Sequence, residues 1–242
     1  MPDGYDLITF DQVDSTMSEA ARIASTITKP TWILAETQTA ARGTRGREWI
    51  TPTGNLNATL IYKPNCTAAD AARRSFLAAN ALYTALASYV DDALLSLKWP
   101  NDVLLGGGKV AGILLESTGR GEYVDWLSIG IGVNLAHAPD NVENAFSPVS
   151  VVGAGGTATS PIDFLKSLAA AFAEQERNLA EFGFERVRAD WLKHAARLGD
   201  VITAKTGHAS VTGTFDTIDV DGNLILITAT GPLAIPAAEV FF

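Results

Sequence analysis

Apolar and polar positions alternate along "YDLITFDQV" (5–13), the period of a β-strand; "TWILAE" (31–36) reads as a short strand, and "NLNATLIY" (55–62) alternates again. Between the first two, "DSTMSEAARIAS" reads as a helix with Ser15 as its N-cap and Glu19 near its first turn. Residues 67–90 read as one helix, because Ala72, Phe76, Ala79, Tyr83, Leu86 and Val90 recur at steps of three or four. Then "LSLKW", "VLL" and "KVAGILLES" alternate with the turns "PND" and "GGG", which predicts a meander of short strands. "VDWLSIGIGVNL" (124–135) is a further strand, whose glycines permit close backbone approach. Residues 136–160 read as loop. Ser160 caps the next helix, with Pro161 at its first position and Phe164, Leu168, Phe172 and Leu179 on its inner face. A last helix covers about 184–196.

After Gly199 the pattern changes to short strands, "DVITAKT", "HASVTGTFDTID", "NLILIT" and "LAIPAAEVFF", with "DVDGN" as a hairpin signal. The order is not the regular alternation of a doubly wound parallel sheet. It predicts an α+β fold: a mixed, largely antiparallel sheet with helices packed on it over residues 1–196, then a small C-terminal β-barrel over 197–242. The barrel is too small to stand alone and is expected to dock on the main domain.

Composition narrows the function classes. The chain has 242 residues, is 47% hydrophobic and carries a formal net charge of −9, which argues against broad nucleic-acid binding. No run approaches a membrane span, Cys66 is the only cysteine, and the start lacks a secretory pattern, so a cytoplasmic location is expected. The three histidines are widely spaced and offer no zinc site. "GGGKVAG" (106–112) has Val110 where a Walker loop needs Ser or Thr, and it opens a strand where a dinucleotide fingerprint opens a helix.

Against that acidic background, "ARGTRGREW" (41–49) gathers Arg42, Arg45 and Arg47 among Gly43 and Gly46, ending at Trp49. Such a loop either lies solvated on the surface or wraps an anion with forked donors, the aromatic suggesting a planar ligand. In "KWPND" (98–102), Asn101 and Asp102 either bond their own turn or present oxygens, which magnesium prefers. Lys109 opens an apolar strand, so its ammonium either snorkels or meets an anion. Asn134 ends "IGIGVN" (129–134).

In order and spacing, "DST" (14–16), "AETQTAARGTRGREW", "KWPNDVLLGGGKVAGILLE" and "IGIGVN" resemble the bacterial biotin–protein ligases over about residues 5–135, with a weaker match of the terminal strands to that family's small SH3-like barrel. The resemblance implies the short type, without the N-terminal DNA-binding domain of some members. It implies a biotin/lipoyl-ligase catalytic fold and an ATP-dependent reaction: biotin is activated to biotinyl-5′-AMP and then passed to a lysine of a biotin carboxyl carrier protein domain, by a monomer or homodimer. By the same resemblance Ser15, Thr16 and Gln38 bond the ureido end of biotin. Arg42, Gly43 and Thr44 lie along its chain, Lys109 meets its carboxylate, and Gly112 leaves room beside it. Arg45, Arg47, Trp49, Asn101 and Asn134 serve the nucleotide, and Asp102 helps hold Mg²⁺ with ATP. Lys109, Arg42, Arg45 and Arg47 carry the catalysis, and the arginine loop moves with the ligand.

The chain departs from the family pattern at Ala41, where Gly is usual, at Thr44, where Arg is frequent, and at Met17, where Asn is common. If position 41 needs positive φ, an alanine there costs about 1 kcal/mol and the loop closes less securely. Two other readings stand beside the ligase: a lipoate- or octanoate-transferring relative, and a non-catalytic biotin or adenylate sensor.

Overall fold

Strands β1 (Asp6–Val13) and β2 (Thr31–Gln38) run parallel, joined by helix α1 (Thr16–Ile23). The remaining strands of the main sheet are antiparallel: β3 (Leu56–Tyr62), β4 (Leu95–Lys98), β5 (Asp102–Leu105), β6 (Gly108–Arg120) and β7 (Tyr123–Val133). Their order is β1-β2-β3-β7-β6-β5-β4. This computed structural model describes residues 1–120, 122–139, 146–206, 209–236 and 238–241; the side chain of Arg45 also lies outside the described set.

Strand alternation sorts the two faces of the sheet. Trp32, Leu56 and Leu60 pack into the main core with helix α4 (Pro161–Phe182), Trp32 meeting Phe172 edge to face at 6.3 Å. Ile33 and Ile61 point the other way, against Ala20 of α1. That second face is only partly covered by α1.

The expected single helix over 67–90 is two helices, α2 (Ala68–Ala72) and α3 (Arg74–Leu86). Arg74 turns inward at the break, 7% exposed, and pairs with Glu176 of α4 at 2.9 Å. Ala72 is exposed and Val90 lies past the helix end. The buried surface of α3 instead includes Leu77, Ala78, Ala81 and Leu82. A helix held between a sheet and another helix is apolar over most of its circumference, so a single stripe understates it. Helix α5 (Phe184–Lys193) ends before the expected 196 because His194–Ala196 pair with the edge strand β4: Leu97 N donates to His194 O and Ala196 N to Leu97 O.

Strands β8 (Val201–Lys205), β9 (Ser210–Ile218), β10 (Leu224–Thr228), β11 (Gly231–Ile235) and β12 (Glu239–Phe241) form a second, antiparallel sheet ordered β11-β10-β9-β8-β12. The segment expected as one final strand divides at Pro236, which has no N–H to give a ladder. This sheet docks through the "DVDGN" turn. The indole N–H of Trp99 donates to Gly222 O at 3.0 Å, and Arg73 pairs with Asp221 at 2.9 Å.

Candidate active site

A row of residues crosses the partly covered face of the main sheet. Lys98 is register partner of Asp102, Asp102 of Gly112, Gly112 of Gly132, and Gly132 of Asn57. Charge therefore sits at one end of the row, a carboxamide at the other, and bare backbone between. From Asp102 to Asn57 is three inter-strand spacings, roughly 14 Å. The indole of Trp49 lies on the glycine pair: a Cβ at Gly132 would overlap it, and one at Gly112 would sit 3.2 Å from its Cζ3. The overlap requires glycine at Gly132 as the indole lies, whereas at Gly112 the indole would have to give by only a few tenths of an ångström.

Lys109 reaches this face through a bulge. Val103 pairs with Ala111 but Leu104 with Lys109, so Val110 is the extra residue. A bulge re-aims a side chain while its neighbours stay in the core. Val110 and Ala111 are fully buried, and the Lys109 ammonium lies 2.5 Å from Oδ1 of Asp102 and 5.4 Å from the Trp49 ring centroid. Residues 147–149 strap its backbone: Lys109 N donates to Ser147 O at 2.9 Å, and Val149 N to Lys109 O at 3.0 Å. The other oxygen of Asp102 accepts from Lys98 at 3.3 Å. Lys98 is 5% exposed and its pKa is lowered, chiefly by burial, with Asp102 opposing that shift.

The opposite end is neutral. Ser15 caps α1, accepting from Met17 N at 3.2 Å. Thr16 N and Thr16 Oγ1 both donate to Gln38 Oε1, and Thr59 donates to Thr16 Oγ1. Gln38 Nε2 donates to Asn57 Oδ1 at 3.0 Å. Met17 packs its thioether over Gly130, where a Cβ would come within 2.8 Å of the sulfur.

The arginine loop closes on itself. Gly43 N donates to Arg47 O, and Trp49 N to Ala41 O, with a turn of 3-10 helix over Thr44–Gly46. Positive φ falls on Gly46, at 72°, and Ala41 is absent from the described residues with positive φ, so the expected backbone penalty at Ala41 does not arise. The guanidinium of Arg42 pairs with Glu116 at 3.0 Å and donates to Ser18. Arg47 pairs with Glu239 of β12 at 2.9 Å, so the small sheet anchors the loop.

Two adjoining cavities result. The first, about 60 Å³, is lined by Ser15, Thr16, Gln38, Arg42, Gly43, Thr44, Trp49, Asn101, Lys109 and Gly112. The second, about 270 Å³, is lined by Gly43, Thr44, Arg47, Trp49, Lys98, Asn101, Asp102, Lys109 and Glu239, among others. Asn134 lines neither; its Nδ2 donates to Val149 O at 3.2 Å and ties the strap to the sheet. Asn101 donates to Ile113 O at 2.6 Å. Sequence reasoning missed Lys98, Asn57 and Glu239. The first sits inside a motif already singled out, and Asn57 is a polar residue interrupting an apolar strand. Glu239 carries no local signal, because only the docking of the second sheet brings it here.

Among the described residues no group of three or more His, Cys, Asp or Glu is placed to hold a metal ion. Asp102 and Glu239 both line the second cavity, each already in an ion pair. Magnesium commonly takes one or two protein carboxylates and completes its shell with phosphate and water. The donor set therefore fits a magnesium ion arriving on a triphosphate.

A mixed seven-stranded sheet carrying a small antiparallel C-terminal sheet, with an arginine loop over a glycine floor, is the framework in which these groups meet. The chain belongs to the biotin/lipoate A/B protein ligase family, whose model matches residues 9–134; residues 198–242 match the biotin protein ligase C terminal domain. It is 52% identical over 235 residues to the biotin–[acetyl-CoA-carboxylase] ligase of Paracoccus denitrificans, covering 96% of this chain and 98% of that one. It is 28% identical to the bifunctional ligase/repressor BirA of Bacillus subtilis (strain 168), covering 98% of this chain and 74% of that one. In fold it is similar to the biotin protein ligase from Aquifex aeolicus in complex with biotin and ATP (TM-score 0.80, 23% identity, 97% of each chain). It is similar also to the Leishmania major biotin protein ligase in complex with biotinyl-5-AMP (TM-score 0.69, 24% identity, 98% of this chain and 100% of that one).

Proposed function

We propose that the protein is an ATP-dependent biotin–protein ligase that forms biotinyl-5′-AMP and passes biotin to a lysine of a biotin carboxyl carrier protein domain. The observation that carries the reading is the polarity of the row: a neutral hydrogen-bonding end, a glycine bed, and a cationic end opening into a second cavity. Biotin has that polarity, with a neutral urea at one end and a carboxylate at the other. The 52% identity to a biotin–[acetyl-CoA-carboxylase] ligase along nearly the whole chain supports the same substrate.

In this reading Ser15, Thr16 and Gln38 take the ureido end. Gly43, Thr44 and Gly112 border the chain, and Lys109 receives the carboxylate. The nucleotide occupies the second cavity, bordered by Arg47, Trp49 and Asn101; Arg45 belongs to the same loop. Asn134 acts through the strap that fixes Lys109. A carboxylate oxygen attacks the α-phosphorus and pyrophosphate leaves. Two anions must approach each other, so Lys109 and the loop arginines offset their repulsion and the charge that grows in the transition state. Asp102 and Glu239 would hold a magnesium ion arriving with the triphosphate, and that ion would supply further charge neutralisation. The carrier lysine then attacks the acyl carbon and AMP leaves. Residues 1–196 form the catalytic unit and residues 197–242 a docked unit whose Glu239 completes the second cavity. The setting is cytoplasmic.

The alternative of octanoate transfer fits the site less well. A hydrocarbon end would leave the Thr16–Gln38–Asn57 chain facing apolar groups, which is unfavourable for buried polar atoms. The reading is tested by incubating the protein with labelled biotin, MgATP and a carrier domain. Label on the carrier lysine is expected; labelling by octanoate or lipoate and not biotin would overturn it.

A further inference from the structure

Asn57 closes the site row at its neutral end, and its carboxamide is oriented by a chain that begins at a backbone donor. Thr16 N can only donate, and it donates to Gln38 at 2.7 Å, so the atom it meets is Oε1. The Gln38 amide therefore turns Nε2 toward Asn57, and the atom that accepts there is Oδ1. This leaves Asn57 Nδ2 on the far side of its carboxamide. It is buried on a residue 1% exposed and has no hydrogen-bond partner among the described residues. A buried unpaired N–H is unfavourable, and natural sites that keep one usually complete it with a ligand or water.

Asn57 itself lines neither cavity, but its donor sits beside the first, which its register partner Gly132 lines. Asn57 is directly opposite Gly132, and residues so paired have Cβ positions about 5 Å apart on one face. The indole of Trp49 lies on Gly132, and its Nε1 is likewise buried without a partner among the described residues. Two donors without partners among the described residues thus lie on either side of one glycine. The ammonium of Lys109 lies against Asp102, three strand spacings from Asn57, and the guanidinium of Arg42, which lines the first cavity, is paired with Glu116. A carboxylate is better served there, so the group suited to Asn57 is a neutral, strong acceptor.

We propose that Asn57 is a specificity-determining residue that donates through Nδ2 to the ureido oxygen of the substrate. The inference rests on the biotin reading above and deepens it. Gln38 has one N–H left after bonding Asn57, and the Ser15 hydroxyl keeps its proton after accepting from Met17 N, so the neutral end offers several donors to one oxygen.

The test is a ligand-by-variant comparison by calorimetry. The ligands are biotin and its thione analogue, in which sulfur, a weaker acceptor, replaces the ureido oxygen. Asn57→Asp keeps the acceptor that Gln38 needs and replaces the donor with an anion. Asn57→Ala removes both and covers the case in which the buried carboxylate unfolds the protein. Wild type is expected to prefer biotin over the thione, and Asn57→Ala to lose about tenfold in biotin affinity while that preference shrinks. Asn57→Asp is expected to lose more, because its carboxylate faces the oxygen. Unchanged biotin affinity and an unchanged preference in a folded variant overturn the proposal. A wild type that fails to bind biotin overturns the biotin reading itself, which keeps the two failures distinct.

Discussion

The ammonium of Lys109 lies 2.5 Å from a carboxylate oxygen of Asp102, and the other oxygen of Asp102 is held by Lys98. One carboxylate between two ammonium groups leaves the cluster with a net positive charge. It also fixes both lysines at the mouth of the second cavity. The charge needed to bring two anions together is therefore oriented before either arrives.

Asp102→Asn is expected to loosen Lys109 and to destabilise the fold by about 3 kcal/mol, because it strands the buried ammonium of Lys98. The sign with pH follows from Lys98. Burial lowers its pKa below 10.5, so its protonated form weakens the fold at neutral pH, and that penalty fades as pH rises through the lowered value. Asp102 limits the shift. Urea denaturation across alkaline pH should show the gap between variant and wild type narrowing as pH climbs; a constant gap would remove Lys98 from the account.

Lys109→Ala is expected to leave the fold intact, since the side chain is 24% exposed. It should slow adenylate synthesis by about 10²–10³-fold, the usual loss on removing one charge-stabilising group. Single-turnover formation of the adenylate measures this, and a loss below tenfold would place the chemistry elsewhere.

Gly132→Ala puts a methyl group into the Trp49 indole. The loop should lift and Trp49 should become wetter. Tryptophan emission should shift to the red in Gly132→Ala and lose that shift when Trp49→Phe is added. An unshifted spectrum would mean that the indole does not rest on the glycine floor.

Glu239→Gln releases Arg47 from the small sheet. Tryptic cleavage after Arg42 and Arg47 should be faster in this variant than in wild type, and biotin with ATP should slow it in both. Equal cleavage of both proteins would show that the Arg47–Glu239 pair does not restrain the loop.

What was legible in the sequence follows a physical division. The strands of the main sheet were readable because one side packs a core, and "DST", the arginine loop and "KWPND" because each concentrates polar residues where a core would exclude them. The break at Arg73–Arg74 was not readable: it depends on Glu176, about a hundred positions away, accepting a buried arginine. The division at Pro236 sits inside an apolar run that masks it. Glu239 and Asn57 reach the site through docking and strand register, which local patterns do not encode. The expected strain at Ala41 was a premise about φ, and the loop takes its left-handed turn at Gly46 instead.

Release of pyrophosphate from MgATP, measured with and without biotin and before any carrier protein is added, tests the central claim most directly. The account predicts a burst that requires biotin, approaches one equivalent per protein and disappears in Lys109→Ala. Release that is equal without biotin, or none at all from folded wild type, would contradict it.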